Sequence, residues 1–165
     1  MPDEPERRQT GPRRAAGLAV RTTNAAEAEP STAQIPGLWH RFTVEDWFGR
    51  LEGLGAVGPA LAVYSEYETD VTGPYRLLAG REFAPGADLP QGLAAVDIPA
   101  GEHLVFRCVG PLPTAVLAGW RDVWAFFLGP GAPRRAYTAD LEIYGVADAT
   151  AEIWASVRGA DSLVT

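Results

Sequence analysis

Lysine is missing from this chain: all 14 basic residues are Arg, against 21 Asp and Glu, for a formal charge of −7. Without a lysine amine, Schiff-base catalysis by a lysine is excluded. The acidic balance argues against a general grip on nucleic-acid phosphates, which favour a cationic surface. Cysteine occurs once, as Cys108, so no internal disulfide can form. In its apolar, strand-like run it reads as a buried, inert thiol. The two histidines, His40 and His103, are far apart and read as surface or helix-side residues, and no Cys/His/Asp group has metal-ligand spacing. A Gly-rich phosphate loop and a nucleophile elbow are also lacking. No run has the apolar length of a membrane span. The start, Met1-Pro-Asp-Glu-Pro-Glu-Arg-Arg8, has mixed charge and no apolar core of a secretion signal. The expectation is a cytoplasmic protein with no cofactor, metal, membrane or direct nucleic-acid contact.

What the chain does have is apolar and aromatic. Hydrophobic residues make up 47% of its 165 positions, with five Trp, which suits one domain with a substantial core. Residues 1–16 are polar and rich in Pro and Arg, and are expected to be disordered. The ordered domain is expected over 17–158, with a short tail at 159–165. Strand patterns cover 17–23, 60–68, 75–83, 94–98 and 103–109, and two more strands end the domain. A helical region opens near Pro36, with Trp39, Phe42, Trp47, Leu51 and Leu54 at helical spacing. Thr43-Val44-Glu45-Asp46 resembles a capping box that would divide it in two. A second helix covers 113–128, with Val116, Trp120, Val123 and Phe127 as its buried stripe and Gly129-Pro130-Gly131 as its stop.

The order of elements repeats. Leu18-Ala-Val-Arg21 resembles Leu104-Val-Phe-Arg107, and each strand is followed by a Trp-rich helix and two more strands. Trp47 lies 19 residues before Glu66, and Trp124 lies 18 before Glu142. The fold class is therefore α+β: duplicated β-α-β-β units with pseudo-twofold symmetry, antiparallel sheet and two main helices. A groove between two such halves is a natural ligand site.

The stretch Thr138-Ala-Asp-Leu-Glu-Ile-Tyr144, with Glu152-Ile-Trp154 after it, carries the most chemistry. Alternation sends Leu141 and Ile143 to one side and Asp140, Glu142 and Tyr144 to the other. Pairing the apolar residues of both strands would leave Glu142, Tyr144 and Trp154 together on the opposite face. A carboxylate among aromatic rings suits an organic cation, since Coulomb and cation–π attraction add. A solvated strand face has the same pattern. Tyr64 is the best aromatic candidate of the first half, while Glu66 and Glu68 read as a solvated edge. Trp124 is a candidate groove wall and Trp39 a candidate lid from the first helix. Trp120 and Phe42 read as core, and Arg21 and Arg107 as structural residues at matching places in the repeat.

The ordered part resembles the GyrI-like, AraC-type effector-binding family, nearest its integron-associated branch. The resemblance rests on Val20-Arg-Thr-Thr-Asn24, Ile35-Pro-Gly-Leu-Trp-His-Arg-Phe42, Val63-Tyr-Ser-Glu-Tyr-Glu-Thr-Asp70 with Gly73 and Tyr75, Ile98-Pro-Ala-Gly101, Trp120-Arg-Asp-Val-Trp124 and Tyr137-Thr-Ala-Asp-Leu-Glu-Ile-Tyr144. These motifs run in family order over residues 17–158. The resemblance implies a central groove for cationic, amphipathic or drug-like molecules, with Glu142 in it. It also implies alternatives: hydrolysis of cyclopropane-bearing electrophiles using Glu142, or protection of gyrase by contact with a protein partner. The helix-turn-helix reader of many relatives has no room before Gly17, so a stand-alone binding module is expected.

Overall fold

In the computed structural model, residues 4–146 and 149–159 are described. Eight strands and four helices follow in chain order: β1 Glu6–Thr10, β2 Arg13–Thr22, α1 Asn24–Glu27, α2 Ile35–Val44, α3 Trp47–Gly53, β3 Val57–Ser65, β4 Tyr75–Phe83, β5 Ala94–Ile98, β6 Gly101–Cys108, α4 Thr114–Leu128, β7 Ala139–Tyr144 and β8 Ala151–Val157. The strands form one sheet in the order β1-β6-β8-β7-β3-β4-β2-β5. Every named pair is antiparallel. The α+β class is as the sequence implies. Each of the two β-α-β-β runs supplies three neighbouring strands, and the runs meet at β3 and β7.

Residues 6–10 are not a disordered leader. They pair along β6, from Glu6 opposite Val105 to Thr10 opposite Gly101. Their polar composition suits an edge strand, where charged side chains discourage pairing with other chains. Such an edge looks like disorder when only apolar content is weighed. The expected tail at 159–165 lies outside the described residues apart from Gly159.

The sheet is curled. β1 forms one edge and β2 is next to the other, yet only Gly11 and Pro12 separate them. Three Cα steps span at most about 11 Å, so the two ends of the sheet must approach each other. The guanidinium carbons of Arg8 on β1 and Arg13 on β2 both lie over the Trp154 ring, at 5.1 and 5.6 Å from its centre. Inside the curl Val63, Leu78, Ile98, Leu141 and Trp154 form a buried core.

The outer face carries the helices. Leu38 and Phe42 of α2 and Leu51 of α3 pack in a cluster with Leu18, Leu77 and Phe83, and Val116 and Val123 of α4 pack with Phe106, Ile153 and Ala155. Burial of each large side chain contributes about 1.5–3 kcal/mol. The expected division of the first helical region is present: Asp46, at φ 50°, separates α2 from α3 and its carboxylate accepts the Gly49 N–H. The loop expected before α2 contains the single turn α1, whose Glu27 carboxylate accepts the Gln34 and Ile35 N–H groups. Glu27 thereby satisfies orphan donors at the start of α2. The helices leave β3 and β7 between them, and a groove opens there.

Candidate functional site

Glu142 lies on β7 with its side chain on the helix side of the sheet, and it is buried at 3% exposure. A buried carboxylate is costly unless donors surround it. Tyr64 Oη and Trp120 Nε1 each donate to Glu142 Oε2 at 2.6 Å, and Tyr144 Oη donates to Oε1. Three elements supply these donors: β3, α4 and β7 itself. Burial, and then the Glu142 charge, push the Tyr64 and Tyr144 phenols well above the ordinary tyrosine range. Both therefore remain protonated and able to donate.

Aromatic rings extend outward from this carboxylate. Trp120 meets Tyr64 edge to face at 5.2 Å, and Trp124 one turn later lies 6.3 Å from Trp120. Trp39 of α2 packs edge-on against Tyr144 at 5.3 Å. Above Tyr64 and Tyr75 is a cavity of about 280 Å³ between α1 and α4, with Ile35, Trp120 and Trp124 among its walls. That is close to the lower bound for sites that hold drug-sized ligands. Glu142 is behind this cavity, screened from it by Tyr64 and Trp120.

Trp154, expected beside Glu142, is on the opposite face. The register sets Leu141 opposite Trp154 and Glu142 opposite Ile153. Trp154 consequently joins the core inside the curl, next to His103 at 5.9 Å. Matching apolar with apolar failed because both faces of the sheet are buried, one under helices and one in the curl. His103 is likewise no surface residue: it is 2% exposed, with Nε2 at 3.0 Å from the Ala139 carbonyl oxygen.

Trp120, read as core, instead offers its only polar atom to Glu142. The signal available in the sequence was the indole N–H itself, which needs a partner when buried. Sequence spacing gives no sign of a second charged cluster, around Asp140. The buried Asp140 accepts from Tyr67 Oη, from Arg135 and from both the N–H and the hydroxyl of Ser156. Arg135 lies outside every strand and helix, and no spacing rule connects it to Asp140. Cys108 is buried as expected, and burial pushes its thiol up to about 11. Among the described residues, no three His, Cys, Asp or Glu side chains are placed to hold a metal ion.

The family model for "integron-associated effector binding protein" matches residues 9–157. The chain belongs to this family. A relative, the putative transcriptional regulator protein YobU of Bacillus subtilis, is 31% identical over 133 residues, covering 80% of this chain and 81% of YobU. Among solved structures, the integron cassette protein VCH_CASS2 from the mobile metagenome of Vibrio cholerae aligns with a TM-score of 0.77 at 30% identity, covering 94% and 96% of the two chains. SAV2435, solved bound to tetraphenylphosphonium, aligns with a TM-score of 0.74 at 20% identity over 97% of each chain. At that identity, the likeness to SAV2435 establishes the shared fold.

Proposed function

We propose that this effector-binding domain binds organic cations with aromatic or amphipathic bodies. The observation that carries the proposal is the buried Glu142 at the inner end of an aromatic groove, held by three neutral donors and, among the described residues, by no cation. In the empty groove these donors satisfy the carboxylate. An entering cation supplies Coulomb attraction that Tyr64 and Trp120 cannot, and the rings contribute cation–π contact. The site residues in this proposal are Glu142, Tyr144, Tyr64, Trp120, Trp124 and Trp39, without Trp154. Tetraphenylphosphonium, the ligand in the SAV2435 structure, has this chemistry.

The geometry favours binding over hydrolysis. Glu142 accepts three hydrogen bonds and is buried behind Tyr64 and Trp120, which leaves at most one acceptor position for a water whose proton it would take. The domain thus serves in sensing or sequestration of its ligand. Titration with tetraphenylphosphonium tests the proposal, with neutral triphenylphosphine oxide as the comparison. Glu142→Gln is expected to weaken the phosphonium by about 1–3 kcal/mol, the range for a charge-assisted contact, and to leave the oxide little changed. Equal affinity of the wild-type protein for the two compounds would overturn the reading.

A further inference from the structure

On the far side of Trp124 lies a second cavity, of about 560 Å³. Trp124, Phe127 and Tyr137 are among its walls, and its charged lining residues are Arg134, Arg135 and Arg158. No acidic residue lines it among the described residues, although the chain as a whole carries −7. A cavity of this polarity does not suit a cation.

The three arginines differ in what holds them. Arg135 is spent on Asp140 behind the wall, and its guanidinium carbon lies 4.5 Å from the Tyr137 ring centre and 5.6 Å from that of Phe127. Arg134 and Arg158 are exposed and form no ion pair among the described residues. Their backbones are tied together, since the Arg158 N–H donates to the Arg134 carbonyl at 2.9 Å. The two side chains therefore start from adjacent, fixed positions. Apolar surface adjoins them: Trp124 is 39% exposed and Leu128, also on the lining, is 89% exposed. Paired guanidiniums beside aromatic faces form a receptor for an acid group on a flat apolar body.

We propose that this cavity binds aromatic organic acids, with a carboxylate or sulfonate on Arg134 and Arg158 and the ring system against Trp124, Phe127 and Tyr137. The proposal is independent of the cation reading of the first groove. Calorimetric titration with 2-naphthalenesulfonate, and with 2-naphthalenemethanol as its neutral counterpart, tests it. The sulfonate should bind about tenfold more tightly than the alcohol, as expected for charge-assisted hydrogen bonds, and should weaken at high salt. The Arg134→Gln/Arg158→Gln double variant should lose about that tenfold while tetraphenylphosphonium binding stays unchanged. Because the wild-type protein alone provides the charge and salt comparisons, the proposal does not depend on the variant folding. Equal affinity for sulfonate and alcohol, no detectable sulfonate binding, or sulfonate binding unaltered in the folded double variant would each overturn it. Absence of phosphonium binding to the wild-type protein, with sulfonate binding intact, would count against the first groove only.

Discussion

Glu142, Tyr64, Tyr144 and Trp120 form a unit in which burial, and then the Glu142 charge, keep the two phenols protonated as donors. Burial and the neighbouring carboxylates hold the phenols of Tyr64, Tyr67 and Tyr144 above the reference value of 10.0. The folded protein therefore retains these protons when the unfolded chain has lost them. The resulting contribution to stability is fully present below pH 10 and is lost as the pH rises beyond it. Urea midpoints measured from neutral to alkaline pH should be level and then fall above that point. Tyr64→Phe should flatten the fall, and at neutral pH should cost about 1–3 kcal/mol, because Glu142 loses a donor. A profile identical to wild type in Tyr64→Phe would contradict the assignment. Trp154 gives a second check at this scale. Ligand-induced fluorescence quenching should survive Trp154→Phe and diminish in Trp120→Phe, since Trp120, unlike Trp154, lies on the groove side.

At the scale of elements, α4 brings Trp120 to Glu142, and its distance from the sheet depends on Gly119. A Cβ at Gly119 would lie 2.5 Å from Cys108 Sγ and 2.9 Å from Ile153 Cδ1. Ala is the better helix former by up to about 1 kcal/mol, but overpacking costs about 1–3 kcal/mol. The expected result for Gly119→Ala is a net loss of stability in urea unfolding. Lifting α4 also draws Trp120 from Glu142, so tetraphenylphosphonium affinity should change with it. Adding Cys108→Ala removes the sulfur and should recover part of both losses, as coupled neighbours do. If Gly119→Ala matched wild type in stability and binding, this close contact would not govern the position of the helix. The helix itself was legible from the spacing of Val116, Trp120 and Val123. Its distance from the sheet was not, because Gly119, Cys108 and Ile153 come from three separate segments.

At the scale of the molecule, the sheet closes through β1 and the short Gly11-Pro12 link. Deleting residues 1–12 should expose the unpaired edge of β6 and uncover Trp154. With five cross-strand pairs lost at about 0.2–1 kcal/mol each, stability should fall by about 1–5 kcal/mol. Thermal unfolding and light scattering should show a lower midpoint and more association, as a newly opened edge invites pairing. A disordered leader could be removed with neither effect, so an unchanged midpoint would argue that β1 contributes nothing.

The amino-acid sequence by itself determined the α+β class, the order of the strands and longer helices from β2 onward, and the candidate status of Glu142. These depend on local periodicity, turn residues and motif order, all of which are properties of contiguous stretches. The tertiary structure alone decided that Trp154 turns away from Glu142 while Trp120 turns toward it. A one-residue difference in register exchanges the faces of a strand, and apolar residues on both faces of β8 give no local sign of which register holds. It also decided that Arg134 and Arg158 converge on one cavity and that residues 6–10 complete the sheet. Those positions are distant in sequence, and only the curl of the sheet and the pairing of its edges bring them together.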